Sequence, residues 1–393
     1  MNESIPGRLV NDCRLQPLKR ISPSRFVGIQ ECALREVWRA AACPPLLPRP
    51  PRAWVGTIIH EILQMIPTGR FNSRSKPEIG EAWDFKVAET EKSMLLSWLD
   101  APSVPLKNSA AGFEVQKIRT INKVLAMACG ENYQGGQGGP LVSSSELWVE
   151  TADHFVGGFI DSVEETNQEL ILRDFKSGLI NVYGSDSTEV KPEYVAQLEL
   201  YCAIFFESRG RWADALQIVP VAGDPVTIPV DRTKCLALLQ SAKDTLHRIN
   251  SVIESTSDVK AGFLELASVT PNGCTRCEFR PGCPAYKCKA ASDSDEKWPQ
   301  DVTGQVAEIA SFPNGSTAIT AKTQLGLTRV RGLASVPGRH PALPFLSASS
   351  WVGLYNLKSV RDNTELVQGP LTTIYDETPF EPNSASAITQ KRP

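Results

Sequence analysis

Hydrophobic residues follow a helical spacing in the first third of the chain. Apolar stripes of period near 3.6 run over residues 22–38 and 54–66 and predict two helices. The first has Ser22-Pro23 at its start, a pair typical of a helix N-terminus. The Pro-rich stretch between them, residues 43–52, is predicted to be extended. Residues 67–130 are more polar and predict a partly helical insertion.

Alternating apolar runs take over after the break at ENYQGGQGGP. The runs SSELWVET, FVGGFIDSVEE and ELILRDFKS predict three consecutive antiparallel strands. A helix from about Tyr194 to Ser208, a strand at ALQIVPV and a helix from about Thr233 to Glu254 follow. This order of elements predicts an α/β fold.

A change of pattern past Trp298 predicts a second unit. Short alternating runs with Gly and Pro turns are typical of a small all-β module, OB-like or SH3-like. We therefore divide the chain into a main domain over 1–297, a β module over 298–377 and a disordered tail over 378–393.

The composition is that of an ordinary globular protein. Of the 393 residues 41% are hydrophobic and 22% charged, and no apolar run approaches the length of a membrane span. The first residues lack the apolar core of a secretory signal, so we expect a cytoplasmic protein that does not enter a membrane. In that compartment the ten cysteines favour a metal or cluster site over disulfides.

The distribution of charge says more than the net value of −3. Residues 1–52 carry nine Lys or Arg against four acids, and a second basic group surrounds the cysteines near residue 280. Such clusters can contact phosphates, although solvated surface charge is an equally simple interpretation. We take Arg25, Arg276 and Arg280 as candidates for contacts with nucleic acid.

Two carboxylates and a lysine are predicted to converge on one hairpin. Asp161 and Asp174 are equally distant from a turn centred near Asn167-Gln168, so they face each other across the strands. Lys176 is two positions beyond Asp174 and points to the same face. Carboxylates suit Mg²⁺ or Mn²⁺, the carbonyl of Phe175 could add a ligand, and a lysine can orient a metal-activated water. The competing interpretation is an exposed cross-strand ion pair.

Two predicted helices add polar side chains: His60 in the first third of the chain, and Gln197 with Tyr201, which share a helix face. With the hairpin they form four short motifs: Gly56 to His60 (G-x-x-x-H), Gly158 to Asp161 (G-x-I-D), Asp174 to Lys176 (D-x-K) and Gln197 to Tyr201 (Q-x-x-x-Y). In order and spacing these resemble the RecB-type branch of the PD-(D/E)XK nucleases, over roughly residues 20–290.

That resemblance implies a restriction-endonuclease-like core and a role for each motif residue. His60, Asp161 and Asp174 would bind the metal, Lys176 would assist the attacking water, and Gln197 with Tyr201 would position the DNA strand.

Three cysteines in the pattern C-x2-C-x5-C, Cys274, Cys277 and Cys283, predict one soft metal centre. Cys32 is the preferred fourth ligand, with Cys43 and Cys288 as rivals. This layout resembles the iron–sulfur branch of the same nucleases (CRISPR-associated exonucleases and AddB-like nuclease domains), which implies a structural 4Fe–4S cluster. Structural Zn²⁺ is the alternative, because spacing alone does not separate the two.

The leading hypothesis is a metal-dependent DNA exonuclease acting on single-stranded ends in repair, recombination or defence. A non-catalytic DNA-end-binding or assembly module is the alternative. Because the chain has no G-x-x-x-x-G-K-[S/T] motif, a helicase partner would be a separate protein. A third possibility is trimming of DNA for CRISPR spacer integration.

Overall fold

The computed structural model describes residues 7–9, 13–65, 75–129, 142–166, 169–181, 189–293, 298–336, 338–360 and 365–377. The helices are α1 (Phe26–Glu31), α2 (Ala33–Ala40), α3 (Pro51–Gln64), α4 (Lys76–Met94), α5 (Leu106–Ser109), α6 (Phe113–Cys129), α7 (Pro192–Arg209), α8 (Arg232–Ser255), α9 (Val259–Leu266), α10 (Pro271–Thr275) and α11 (Pro284–Ser292). The strands are β1 (Val142–Glu150), β2 (Gly157–Glu165), β3 (Leu170–Lys176), β4 (Ala215–Pro220), β5 (Val226–Ile228), β6 (Val302–Ser311), β7 (Ser316–Thr323), β8 (Gly326–Ala334), β9 (Trp351–Tyr355), β10 (Lys358–Val360), β11 (Glu365–Val367) and β12 (Thr373–Glu377).

The first five strands form one mixed sheet in chain order. β1, β2 and β3 pair antiparallel, as the alternating runs predicted, and β4 then joins β3 in parallel. Ser162 lies opposite Arg173, which is the register expected for a hairpin that brings Asp161 and Asp174 together. The predicted turn centre, Asn167-Gln168, lies outside the described residues, as do the ENYQGGQGGP break and the tail over 378–393.

Two hydrophobic clusters hold this sheet between helices. Because successive residues of a strand face opposite sides, β3 serves both of them. Its Leu170 and Leu172 pack into the cluster that contains α7, and its Phe175 packs into the cluster around α3, α4 and α6. The end of β3 is therefore fixed from both sides, which holds the candidate site residues at Asp174 and Lys176.

The first predicted helix is interrupted, which corrects the prediction of a continuous helix over 22–38. A single 3₁₀ turn, Pro23–Arg25, leads into α1, and the chain then becomes extended at Cys32 before α2 begins. The dihedrals of Cys32 are φ −159° and ψ 104°. The candidate cluster ligand thus occupies a break between two helices instead of a helix face.

A second sheet holds the remaining strands in the order β10-β11-β8-β7-β6-β9-β12. It is mixed, because β11 runs parallel to β8. Near the start of the chain Leu9 donates its backbone N–H to Asp376 of β12 at 2.9 Å, so residues 7–9 lie beside this sheet. The OB-like or SH3-like barrel stays a prediction. Across the described part of the chain, no helix has the length and apolar character needed to traverse a bilayer.

Candidate active site and cysteine cluster

The two predicted carboxylates lie at the junction of β2 and β3. One oxygen of Asp161, Oδ2, accepts the backbone N–H of Phe175 at 2.8 Å and lies 3.0 Å from Nε2 of His60. Asp174 is only 2% exposed, and its Oδ2 lies 2.6 Å from the ammonium nitrogen of Lys176. The hairpin, α3 and the end of β3 therefore bring together the residues that three of the sequence motifs singled out.

Gln197 of α7 connects the lysine to the buried carboxylate. Its amide Nε2 donates to Oδ1 of Asp174 at 2.7 Å, and its Oε1 accepts from Lys176 at 2.9 Å. Tyr201, one turn further along, is buried as well. Both residues line the same cleft, and their contact with nucleic acid stays a prediction. Gln197 uses both ends of its amide to contact Asp174 and Lys176.

Burial and neighbouring charge shift the protonation of this group of residues. Burial raises the pKa of Asp174 above its usual range, although the ammonium of Lys176 opposes that shift. For His60, burial alone would lower the pKa, but the hydrogen bond to Asp161 and the negative charges of Asp161 and Asp174 together outweigh it and raise the pKa. The paired charges of Asp174 with Lys176 and of Asp161 with His60 therefore stabilise each other in a site partly shielded from water.

Two glycines of the motifs allow close approach of neighbouring elements. A Cβ on Gly158 would lie 3.0 Å from the Tyr201 hydroxyl and 3.2 Å from Cδ of Pro23. A Cβ on Gly56 would lie 2.9 Å from Oγ of Ser177, so α3 passes close to the residue after Lys176. The motifs therefore have glycine at these two positions because a larger residue would collide with a neighbouring side chain.

These side chains open into a cleft of about 610 Å³, which we call the carboxylate cleft. Its wall includes His60, Asp161, Asp174, Lys176, Tyr194 and the aromatic residues Trp148 and Phe159. The sequence motifs did not single out Tyr194, whose ring lies 4.5 Å from Nζ of Lys176, nor the aromatic pair. The sequence could have indicated Trp148 and Phe159, because they are aromatic residues at solvent-facing positions of two adjacent predicted strands.

The donor set of the cleft fits a hard divalent cation. Two carboxylates and an imidazole reach the same cavity, and oxygen ligands are those that Mg²⁺ and Mn²⁺ prefer. In the arrangement described, Asp174 and Asp161 are instead paired with Lys176 and His60. Within the described ranges, no three His, Cys, Asp or Glu side chains are already arranged to hold a metal ion.

The cysteine cluster, defined as Cys32, Cys274, Cys277 and Cys283, draws together distant parts of the chain. Arg39 of α2 donates to both carboxylate oxygens of Glu278 at 2.6 and 2.8 Å, and Leu46 donates its N–H to the Glu278 carbonyl. Burial, together with the charges of the other three cysteines, raises the pKa of Cys283 to about 12. The four thiols are therefore close enough to affect one another's ionisation, although among the described residues no three of them are arranged to hold a metal ion.

Arginines surround this cluster. The charges of Arg35, Arg39 and Arg280 all interact with Cys277. Arg280 is 2% exposed, pairs with Asp301 at 2.6 Å and also donates to Oδ1 of Asn356. This corrects the prediction that Arg280 contacts nucleic acid, because its donors are already used inside the protein. The other two candidates, Arg25 and Arg276, remain exposed, although Arg276 pairs with Glu31 at 3.0 Å.

Comparison with known proteins defines the class to which this fold and cleft belong. The family model of the PD-(D/E)XK nuclease superfamily matches residues 20–284, which include the site residues and all four cluster cysteines. The chain belongs to that superfamily. Its members are generally nucleases, with DNA as the substrate and divalent metals such as Mg²⁺ as cofactors.

Individual relatives add little to this assignment. The solved structure titled "Crystal structure of SSO0001" is 16% identical, with a TM-score of 0.23, and the match covers 44% of this chain and 79% of that one. A likeness that slight does not bear on fold or function. No curated protein matches the chain.

Proposed function

We propose that this protein is a Mg²⁺- or Mn²⁺-dependent DNA nuclease, working inside the cell as an exonuclease on single-stranded ends. The observation that carries the proposal is the buried Asp174, joined to Lys176 directly and through Gln197, in the same cleft as Asp161. An exposed cross-strand ion pair would not be buried to this extent, nor would it need a bridging amide.

In this proposal Asp161, Asp174, His60 and the carbonyl of Phe175 hold the divalent cation. When bound, the cation polarises a phosphoryl oxygen and acidifies a coordinated water. Lys176 orients the attacking water and stabilises the charge that develops on the phosphate. Gln197 keeps the ammonium of Lys176 directed at the reacting atoms, and Asp161 keeps His60 in place.

We also propose that the cysteine cluster holds a structural metal centre, a 4Fe–4S cluster with Zn²⁺ as the alternative. Four thiolates carry negative charge that a protein interior must offset. Arg35, Arg39 and Arg280 lie close enough to act on Cys277, although each of them is also paired with a carboxylate. In addition, the N–H of Tyr286 lies 3.5 Å from Sγ of Cys283, a contact typical of ligated thiolates.

The test of the nuclease proposal uses end-labelled single strands with Mg²⁺ or Mn²⁺ and two matched variants. Asp174→Asn removes the buried charge, and Asp84→Asn changes an exposed aspartate of α4 that pairs with Lys117. We expect the first to lower the cleavage rate by about 10²–10³-fold or more and the second to leave it unchanged. Equal rates in the two variants would contradict the site. A wild type that binds ends without cutting them would favour a binding module.

Anaerobic purification tests the second proposal. We expect a brown protein with about four iron atoms per chain and broad visible absorption. A colourless preparation with one zinc per chain would select the alternative metal, and a preparation with neither metal would contradict a metal centre.

A further inference from the structure

An aromatic pair lies on the same face of the sheet as the catalytic carboxylate. Phe159 precedes Asp161 by two positions on β2, so their side chains point the same way, about 7 Å apart along the strand. Directly across, Phe159 lies opposite Trp148 of β1. The two rings are in edge contact with 4.8 Å between centroids and 64° between planes. Both rings and Asp161 line the carboxylate cleft.

This pair is open to solvent, whereas its neighbours on the strands are not. Phe159 is 55% exposed and Trp148 37% exposed, while Val149 and Ile160 are buried. A sheet with one solvated face normally alternates apolar-in with polar-out. Single exposed apolar side chains need no explanation, but a contacting pair that continues a catalytic cleft points to a ligand.

A fixed positive charge stands beside the rings. The guanidinium carbon of Arg20 lies 5.0 Å from the ring centroid of Trp148, and its Nη1 donates to Glu150 at 2.8 Å. Arg20 therefore occupies one side of Trp148, which leaves Phe159 as the more accessible ring. Aromatic rings next to an arginine are a combination with which proteins hold unpaired nucleotides, because every base has a π face.

We infer that Phe159, braced by Trp148 and Arg20, stacks an unpaired nucleobase next to the phosphate that is cut. This inference rests on the proposed function, and in it Phe159 is the residue that selects the nuclease substrate. A base within a duplex is already stacked on both faces, so it must leave the helix before Phe159 can cover it. The platform therefore favours single strands and frayed ends over intact duplex.

Binding measurements test the platform without cleavage. We would titrate fluorescently labelled single strands, and the same strands with one abasic residue at successive positions, with Ca²⁺ in place of Mg²⁺. Phe159→Leu keeps an apolar side chain but removes the ring, and Phe85→Leu makes the same change at a residue of α4 with 62% exposure. Thermal unfolding of each variant checks that it is folded.

We expect Phe159→Leu to weaken binding of the intact single strand by roughly 5- to 150-fold, the range for loss of one stacked base. One abasic position should weaken wild-type binding by a similar factor and should have no further effect in Phe159→Leu. Phe85→Leu should behave as wild type. Trp148→Leu should give a smaller loss than Phe159→Leu, since it removes only the brace.

The outcomes separate this inference from the proposed function. If Phe159→Leu binds the intact strand as tightly as wild type, or stays equally sensitive to the abasic position, the platform is wrong even if Asp174→Asn abolishes cleavage. If wild type cuts no strand with any divalent metal while abasic sensitivity still depends on Phe159, the proposed function fails and the base-stacking site stands.

Discussion

The carboxylate cleft and the cysteine cluster are assembled over very different distances along the chain. The hydrogen bond from Phe175 to Asp161 spans 14 positions and that from Gln197 to Asp174 spans 23. Near the cluster, the ion pair between Arg276 and Glu31 spans 245 positions. Asp161, Asp174 and Lys176 are brought together by the register of one hairpin and the helix after it, and α3 adds His60 from an earlier part of the chain. The cluster forms only when the two ends of the main domain meet.

Because of this difference, we expect substitutions in the two regions to affect activity and stability differently. The entropy of closing a loop grows with its length, so contacts at the cluster offset a larger loss of chain freedom than contacts in the cleft. Changes in the cleft should remove chemistry while the fold persists. Changes at the cluster should remove stability first and activity as a consequence.

The largest effect is expected at the cluster. Cys277→Ser should destabilise the protein by more than about 3 kcal/mol, because the proposed metal centre would lose a ligand. Cys43→Ser, at a half-buried cysteine outside the cluster, should cost less than about 1 kcal/mol. Urea unfolding followed by circular dichroism, together with metal analysis of each preparation, measures both. Similar losses of unfolding free energy in the two variants would contradict the stabilising role given to the cysteine cluster.

The next effect, mainly on the chemical step, is expected for Lys176→Met. It should lower the cleavage rate constant by about 10²–10³-fold and lower the melting temperature less than Cys277→Ser does, because Gln197 still donates to Asp174. Lys191→Met is the control, because its ammonium also contacts the Tyr194 ring, 5.3 Å from the centroid. Single-turnover cleavage and thermal unfolding are the readouts. A Lys176→Met protein that melts far below wild type would mean that the cleft also carries stability.

The smallest effect concerns the close approach of α3 to the end of β3. Gly56→Ala places a Cβ 2.9 Å from Oγ of Ser177, so the neighbourhood of Lys176 must shift slightly. We expect a several-fold loss of cleavage rate with unchanged or slightly higher stability, since Ala favours the helix. Removing the hydroxyl in the double variant with Ser177→Ala should restore the rate. If the double variant stays as slow as Gly56→Ala, contact with Ser177 does not cause the loss of cleavage rate.

The same contrast explains what could be predicted from sequence. Alternation along β2 and β3 fixes which side chains share a face, and the register that pairs Ser162 with Arg173 follows from it. The convergence of Asp161, Asp174 and Lys176 was therefore predictable. The bridge formed by Gln197 was not, because the packing angle of α7 against the sheet has no local signature.

Long-range features escaped prediction for a similar reason. The extended backbone at Cys32 interrupts a stripe whose periodicity favours a continuous helix. Arg280 lies in a basic, polar stretch that gives no sign of burial, and only tertiary contacts close it off. In both cases the deciding interaction comes from another part of the fold.

The position of Arg280 has a consequence for how the molecule loosens. Its guanidinium reaches Asp301 and Asn356 of the region around the second sheet, and it also lies near the backbone carbonyls of Cys274, Thr275 and Cys277. The Arg280 side chain thus connects the loop that carries Cys274 and Cys277 to the strands that follow it. Removal of the proposed metal centre should raise amide hydrogen exchange near Asn356 as well as in the loop, so oxidation of the thiols would also loosen the strands.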